Sequence, residues 1–245
     1  MTQKSNPQDQ AFSVAVPAGF DAQAIPIHEV CASQSKVAAH VLDPFNLRDR
    51  FQSPPVWQPE ITDENRQVIA AEIIQRRQAA GKVTRAAVLI PLLLKSDGLS
   101  VLLTQRTDHL HDHAGQISFP GGRMDPGDFS PNDTALRESE EEIGLNRAGV
   151  EIIGHLPQYL TVSGYSVTPV VGLVKPQAEY VLDAFEVADV FEVPLHFLMD
   201  PANHQVRVWE SDQGSRRFYS MPYENRFIWG ATAGMLRNLY HLLKV

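Results

Sequence analysis

The sequence predicts an α/β fold, a sheet with helices on both faces. Three observations carry this. Ala86 to Leu94 is an apolar run of strand length, too short for a membrane span. The turn Ser96-Asp97-Gly98 and a second apolar stretch, Leu99 to Gln105, follow it in hairpin order. Segments of helical spacing alternate with further strand-like segments, which suits helices packed on both sides of a sheet.

The chain has 245 residues, enough for one large domain or two small ones. Apolar residues make up 43%, sufficient for a sizeable core, and 20% charged is ordinary for a globular protein. The net charge of -8 argues against a nucleic-acid backbone or an anionic membrane as partner. It leaves room for a small anionic substrate, because local donors outweigh global charge. Cys31 is the single cysteine, which excludes an internal disulfide and a cysteine-rich zinc site. The first ten residues are polar and lack the apolar stretch of a signal peptide, so a cytoplasmic location is expected.

Residues 1–40 show no strong periodicity and read as a poorly ordered N-terminal arm, ahead of a single domain over 41–245. Pro54-Pro55 and Pro59 mark an irregular segment around Trp57. Thr62 or Asp63 is placed to cap a helix over about 64–80, with Val68, Ile69, Ile73 and Ile74 on its apolar side and Gly81 at its end. Arg85 to Leu94 is the buried strand, with Pro91 implying an edge or bulge nearby. A loop rich in His and Asp leads to Gln116–Phe119 and the turn Pro120-Gly121-Gly122. Asn132 or Asp133 is placed to cap an acidic helix that Gly144 ends. Val150–Leu156 and Thr168–Val174 read as strands, Phe191–Met199 as a short helix or turn, and 206–210 with 217–221 as a hairpin. Trp229–Leu243 is a closing helix, with Met235, Leu236, Leu239 and Leu243 at helical spacing.

The acidic helix carries the chemistry. Arg137-Glu138-Ser139-Glu140-Glu141-Glu142 places four carboxylates in five positions. Glu138, Glu141 and Glu142, at i, i+3 and i+4, share a face, with Leu136 and Ile143 opposite. Like charges so placed destabilise a bare helix. A hard divalent cation reverses that cost, since Mg2+ binds through a few carboxylates plus substrate phosphates. Glu140 points away and reads as solvated. Arg137 lies one turn before Glu141 and can orient it.

These residues resemble the Nudix hydrolases, whose signature is G-x5-E-x7-R-E-U-x-E-E-x-G-U, with U a bulky aliphatic residue. Gly122, Arg137-Glu138, Glu141-Glu142, Gly144 and Leu145 match in order. The spacing from Gly122 to Arg137 is one residue longer, Asp128 stands where the first Glu would be, and Ser139 replaces an aliphatic residue. A second motif, Leu102-Leu103-Thr104-Gln105-Arg106, Gly115 and Phe119-Pro120-Gly121-Gly122, resembles the L-L-T-x-R-[S/A]-x3-R-x3-G-x3-F-P-G-G pattern of the coenzyme A pyrophosphatase branch. Here Thr107 replaces Ser or Ala and His111 replaces the second Arg. The likeness spans roughly residues 85–205.

The resemblance implies an α/β/α sandwich around a mixed sheet. It implies metal-dependent hydrolysis of the coenzyme A pyrophosphate bond, giving 3′,5′-ADP and 4′-phosphopantetheine. Glu138, Glu141 and Glu142 would hold Mg2+ or Mn2+, and Arg137 would orient them. Glu186 is the candidate general base. Gly121 and Gly122 would offer N–H groups, and Arg106 and Arg123 side chains, to phosphate oxygens. Homodimers occur in this family. Other readings are a Nudix diphosphatase acting on ADP-ribose, NADH or a nucleoside triphosphate, and a non-catalytic ligand-binding module; the latter would be expected to lose a box glutamate. His109, His111 and His113 alternate, as a transition-metal site or as incidental loop residues. Tyr159, Tyr165, Tyr223 and Trp229 would stack on a base, line a pantetheine channel, or pack in the core.

Overall fold

The computed structural model describes residues 20–60, 81, 83–109, 115–161, 164–211 and 214–245. The helix expected over 64–80, His111 and His113 lie outside the described residues. Two sheets and the helices around them make up the described part. β1 is Ile27–Val30, β2 Thr84–Lys95, β3 Gly98–Arg106, β4 Ile117–Ser118, β5 Gly121–Arg123 and β6 Val150–His155. β7 is Tyr159–Leu160, β8 Tyr165–Val174, β9 Val187–Pro194, β10 Gln205–Ser211, β11 Gly214–Tyr223 and β12 Arg226–Trp229. The helices are α1 (Pro44–Gln52), α2 (Pro131–Ile143), the one-turn α3 (Leu195–Leu198) and α4 (Gly230–Leu243).

β2 and β3 form the hairpin expected from their turn residues, with Lys95 opposite Gly98. The larger sheet runs β4-β3-β2-β8-β6, with β5 also on β2, β7 on β8 and β9 on β3. β2 and β8 are parallel from Thr84↔Tyr165 to Leu93↔Val174, while the other pairings are antiparallel, so the sheet is mixed. Pro91 sits inside β2 without breaking it. The Leu89 N–H points to the Pro120 carbonyl, and alternation turns the Pro91 nitrogen to that same side. There it falls between the end of the β5 pairing at Val88 and the start of the β3 pairing at Leu92.

β2 is buried on both faces, which explains its continuous apolar run. Ala87, Leu89 and Leu93 pack with Ala135 and Ile143 of α2. Ala86, Ile90 and Leu92 belong to the opposite layer, with Met235, Leu236 and Leu239 of α4. This is the α/β/α arrangement. The second, antiparallel sheet runs β1-β10-β11-β12 and shares the α4 layer through Val206, Met221 and Ile228.

Several expectations are corrected. Residues 20–40 are not a loose arm. β1 pairs with β10, the Cys31 N–H donates to the His204 carbonyl, and Cys31, Val37 and Val41 are buried. The side chains of β1 are exposed, so its pairing left no hydrophobic alternation to read. The cap of α2 is Ser130, not Asn132 or Asp133. Pro131 opens the helix, Ser130 Oγ accepts from the Asp133 N–H, and its hydroxyl donates to Asp133 Oδ2. The inner side of α2 is Thr134, Ala135, Ser139 and Ile143, with Leu136 only half-buried. Buried Ser139 is satisfied by donating to the Ala135 carbonyl at 2.6 Å, so a serine fits where the motif has an aliphatic residue. Phe191–Pro194 is strand, paired with β3, and only Leu195–Leu198 is helical. Gly144 ends α2 as expected, at φ 63°.

Candidate active site

The site forms where α2 lies against β5 and the loop before β9. Gly121 and Gly122 make that approach possible. A side chain on Gly121 would meet the Ala87 carbonyl at 2.4 Å and Val88 Cα at 2.5 Å. A Cβ on Gly122 would meet the Glu138 carboxylate at 2.5 Å. The glycine pair thus brings β5 against β2 on one side and against the glutamates on the other.

Each glutamate meets a different environment. Glu142 is buried, and its Oε2 accepts from the Gly121 N–H at 3.1 Å. The nearest cation is Arg106, at 3.9 Å. Burial pushes the Glu142 carboxyl up to about 8; the Gly121 N–H and Arg106 oppose this, and the charges of Glu138 and Glu186 add to it. Burial also raises Glu138, although Arg137 pulls it back. Glu141 is exposed, and its Oε2 accepts from Arg137 at 2.9 Å. Glu140 faces away and pairs with Arg147 at 2.6 Å.

Arg137 is the hub. It donates to Glu138, to Glu141, to the Arg123 carbonyl and, through two nitrogens, to both oxygens of Asp128. Asp128 also accepts from the Thr134 hydroxyl and the Asp125 N–H, and Arg137 holds its carboxyl well below the usual carboxylate range. The fork-to-fork pairing fixes the plane of the guanidinium and hence the two glutamates. Sequence reading noted Asp128 only as a departure; its place six residues after Gly122 was the available signal.

Glu186 enters from the turn before β9. Its N–H donates to the Asp183 carbonyl, and its own carbonyl accepts from the Thr107 N–H, each at 3.0 Å. Its charge bears on both Glu138 and Glu142. Arg106, Gly121, Gly122, Arg137, Glu138, Glu142 and Glu186 are therefore brought together. Arg123 contributes its backbone carbonyl, while its side chain donates to the Tyr165 hydroxyl at 3.4 Å. The Gly121 N–H is not free for a phosphate, because Glu142 already takes it.

Of the expected aromatic candidates, Tyr159 is core, Tyr223 packs edge-on against Phe197, and Trp229 packs with Phe20 and Phe218. His109 packs edge-on against Phe185.

The donor set suits a hard divalent cation in kind: carboxylate oxygens, two of them on half-buried or buried side chains, with a third charge alongside. Among the described residues no three acidic, histidine or cysteine side chains already converge on one point.

The NUDIX domain family matches residues 83–213. An uncharacterized Nudix hydrolase NudL of Yersinia pestis (strain Pestoides F) is 44% identical over 155 residues, which is 63% of this chain and 77% of that one. The corresponding NudL of Yersinia pseudotuberculosis serotype O:1b (strain IP 31758) gives the same figures. Among solved structures, the Nudix hydrolase RenU from M. smegmatis aligns with a TM-score of 0.40 at 22% identity, over 46% of this chain and 71% of its own. A C. elegans Ap4A hydrolase gives 0.40 at 21%, over 49% and 86%.

Proposed function

The chain belongs to the Nudix hydrolase family, and from that premise we propose that it hydrolyses the pyrophosphate bond of coenzyme A or a derivative, giving 3′,5′-ADP and 4′-phosphopantetheine. The observation that carries this reading is the meeting of two motifs at one place in the fold. Arg106, from the Leu102–Gly122 pattern, stands beside Glu142, from the acidic helix, and both lie at the Gly121–Gly122 strand.

Glu138 and Glu142, with Glu141, would hold Mg2+ or Mn2+. When bound, such an ion neutralises the diphosphate, polarises phosphorus and lowers the pKa of water. Arg137 keeps Glu138 and Glu141 in a fixed arrangement through its anchor on Asp128. Arg106 offers the diphosphate a cationic contact. Glu186 is the candidate to take the proton of the attacking water, from a turn held by backbone hydrogen bonds. Burial of Glu142 makes its charge count for more than it would in water.

The test is product analysis with Mg2+ on coenzyme A, ADP-ribose, NADH and dATP, with Glu141→Gln and Glu142→Gln alongside. Best kcat/KM on coenzyme A with release of 3′,5′-ADP, lost in the variants, supports the reading. Preference for another of these substrates replaces coenzyme A with that diphosphate. Cleavage of none of them under any divalent metal favours a ligand-binding module.

A further inference from the structure

Phe185 is 66% exposed, yet it is held in place. Its N–H donates to Asp183 Oδ1 at 2.9 Å and its carbonyl accepts from Thr107 Oγ1 at 2.8 Å. The next residue, Glu186, is tied to the Thr107 N–H. Buried Thr107 therefore grips both residues of the turn, and Arg106, the residue before it, lies 3.9 Å from Glu142. His109, also exposed, packs against the Phe185 ring edge-on, with centroids 5.0 Å apart. Two exposed aromatic rings, braced against one another and with Phe185 anchored through its backbone, stand two residues or fewer from Thr107 and Glu186 in the chain. Exposed apolar surface costs solvation, which is relieved when a planar partner covers it, and a ring already held in place loses little further entropy on being covered. Tyr159, Tyr223 and Trp229 are already packed against other rings or the core.

We propose that Phe185, braced by His109, is the stacking surface for the base of the substrate's nucleotide half, and that Thr107 positions it. This rests on the reading that the substrate is a nucleoside diphosphate derivative. It gives Thr107 a purpose: its hydroxyl supplies a bond to the turn that an alanine there would not. Stacking reads a π-face rather than hydrogen-bond edges, so adenine is accepted for its shape, and other purines would be too.

The experiment compares wild type with Phe185→Ala, Phe185→Tyr, Thr107→Val and Thr107→Ser. KM for coenzyme A with Mg2+ and equilibrium binding of 3′,5′-ADP are the readouts. Phe129→Ala, at a still more exposed phenylalanine ahead of α2, is the control. Phe185→Ala is expected to raise both KM and the 3′,5′-ADP dissociation constant roughly 5- to 150-fold, the range of a lost base stack. Phe185→Tyr restores both, and Phe129→Ala leaves both near wild type. Thr107→Val weakens 3′,5′-ADP binding partway, and Thr107→Ser recovers it. Wild-type KM and binding in Phe185→Ala overturn the proposal while leaving the diphosphatase reading intact. A wild-type protein that cleaves no nucleoside diphosphate derivative overturns both.

Discussion

Glu142→Gln is expected to stabilise the metal-free protein at neutral pH. The folded-state carboxyl titrates at about 8, against 4.5 when unperturbed. Below pH 4.5 it is neutral in both states and costs nothing. Between 4.5 and about 8 the unfolded chain has released the proton while the folded chain still holds it. The native state then binds more protons, so stability falls as pH rises, by about 1.4 kcal/mol per pH unit. By pH 7 the loss reaches about 3 kcal/mol, a large share of a typical folding free energy. Glutamine is neutral at every pH and its amide oxygen can still accept from the Gly121 N–H. Urea unfolding in a chelator should therefore show wild type and variant alike near pH 4, and the variant about 3 kcal/mol more stable at pH 7. Mg2+ should close the gap by stabilising wild type alone. Equal urea midpoints at pH 7, or a difference that does not change between pH 4 and 7, would refute the reasoning.

Other perturbations separate stability from activity. Asp128→Asn removes the charged anchor of Arg137 while keeping its shape, and kcat/KM should fall about 10- to 100-fold, as for other supporting partners of a metal site. Gly122→Ala should abolish activity with little change in Tm, because its methyl displaces only the end of the Glu138 side chain. Gly121→Ala should instead lower Tm strongly, since its methyl meets β2 backbone and its φ of 153° is strained for alanine. Glu60 offers the opposite pH test. Burial raises its carboxyl, but hydrogen bonds and charge from His241 and Arg237 bring it to about 2. Its contribution is complete above pH 4.5 and disappears as pH falls toward 2. Glu60→Gln should cost about 2–3 kcal/mol at pH 7 by urea unfolding, and nothing near pH 2.

What the sequence revealed follows from where the physical signal was local. The β2–β3 hairpin was legible because its turn residues and apolar runs are contiguous. α2 was legible because charge and apolar spacing both have helical period. The parallel pairing of β2 with β8 was not, because partners more than 75 residues apart leave no local pattern. β1 was missed because its role is carried by backbone hydrogen bonds and its side chains face outward. The grip of Thr107 on Phe185 and Glu186 joins residues nearly 80 apart, through its hydroxyl and N–H to two backbone carbonyls, which no side-chain pattern reports. Arg237 was hidden because its side-chain partners lie far away in the sequence. It is buried in α4 and satisfied by Glu60, His204 and Gln34, groups scattered across the chain.

The acidic stretch shows how a fold can tolerate charges that repel. Four carboxylates on two turns of α2 would destabilise it if treated alike. The structure treats them differently. Glu140 leaves the site and pairs with Arg147 in solvent, which contributes little. Glu138 and Glu141 share Arg137, whose orientation is guaranteed by Asp128 rather than by the glutamates themselves. Among the described residues, Glu142 has only a distant cation at 3.9 Å, and its raised pKa lets a proton serve in place of a counter-ion. The unresolved cost is thus concentrated on one buried oxygen pair beside the glycine strand. A cation bound there takes the place of that proton, so its affinity rises as the pH climbs toward 8. Replacing Arg137 by lysine would keep the charge and lose the fork that divides it between Asp128 and the glutamates, which is why the planar guanidinium is the group required at this position.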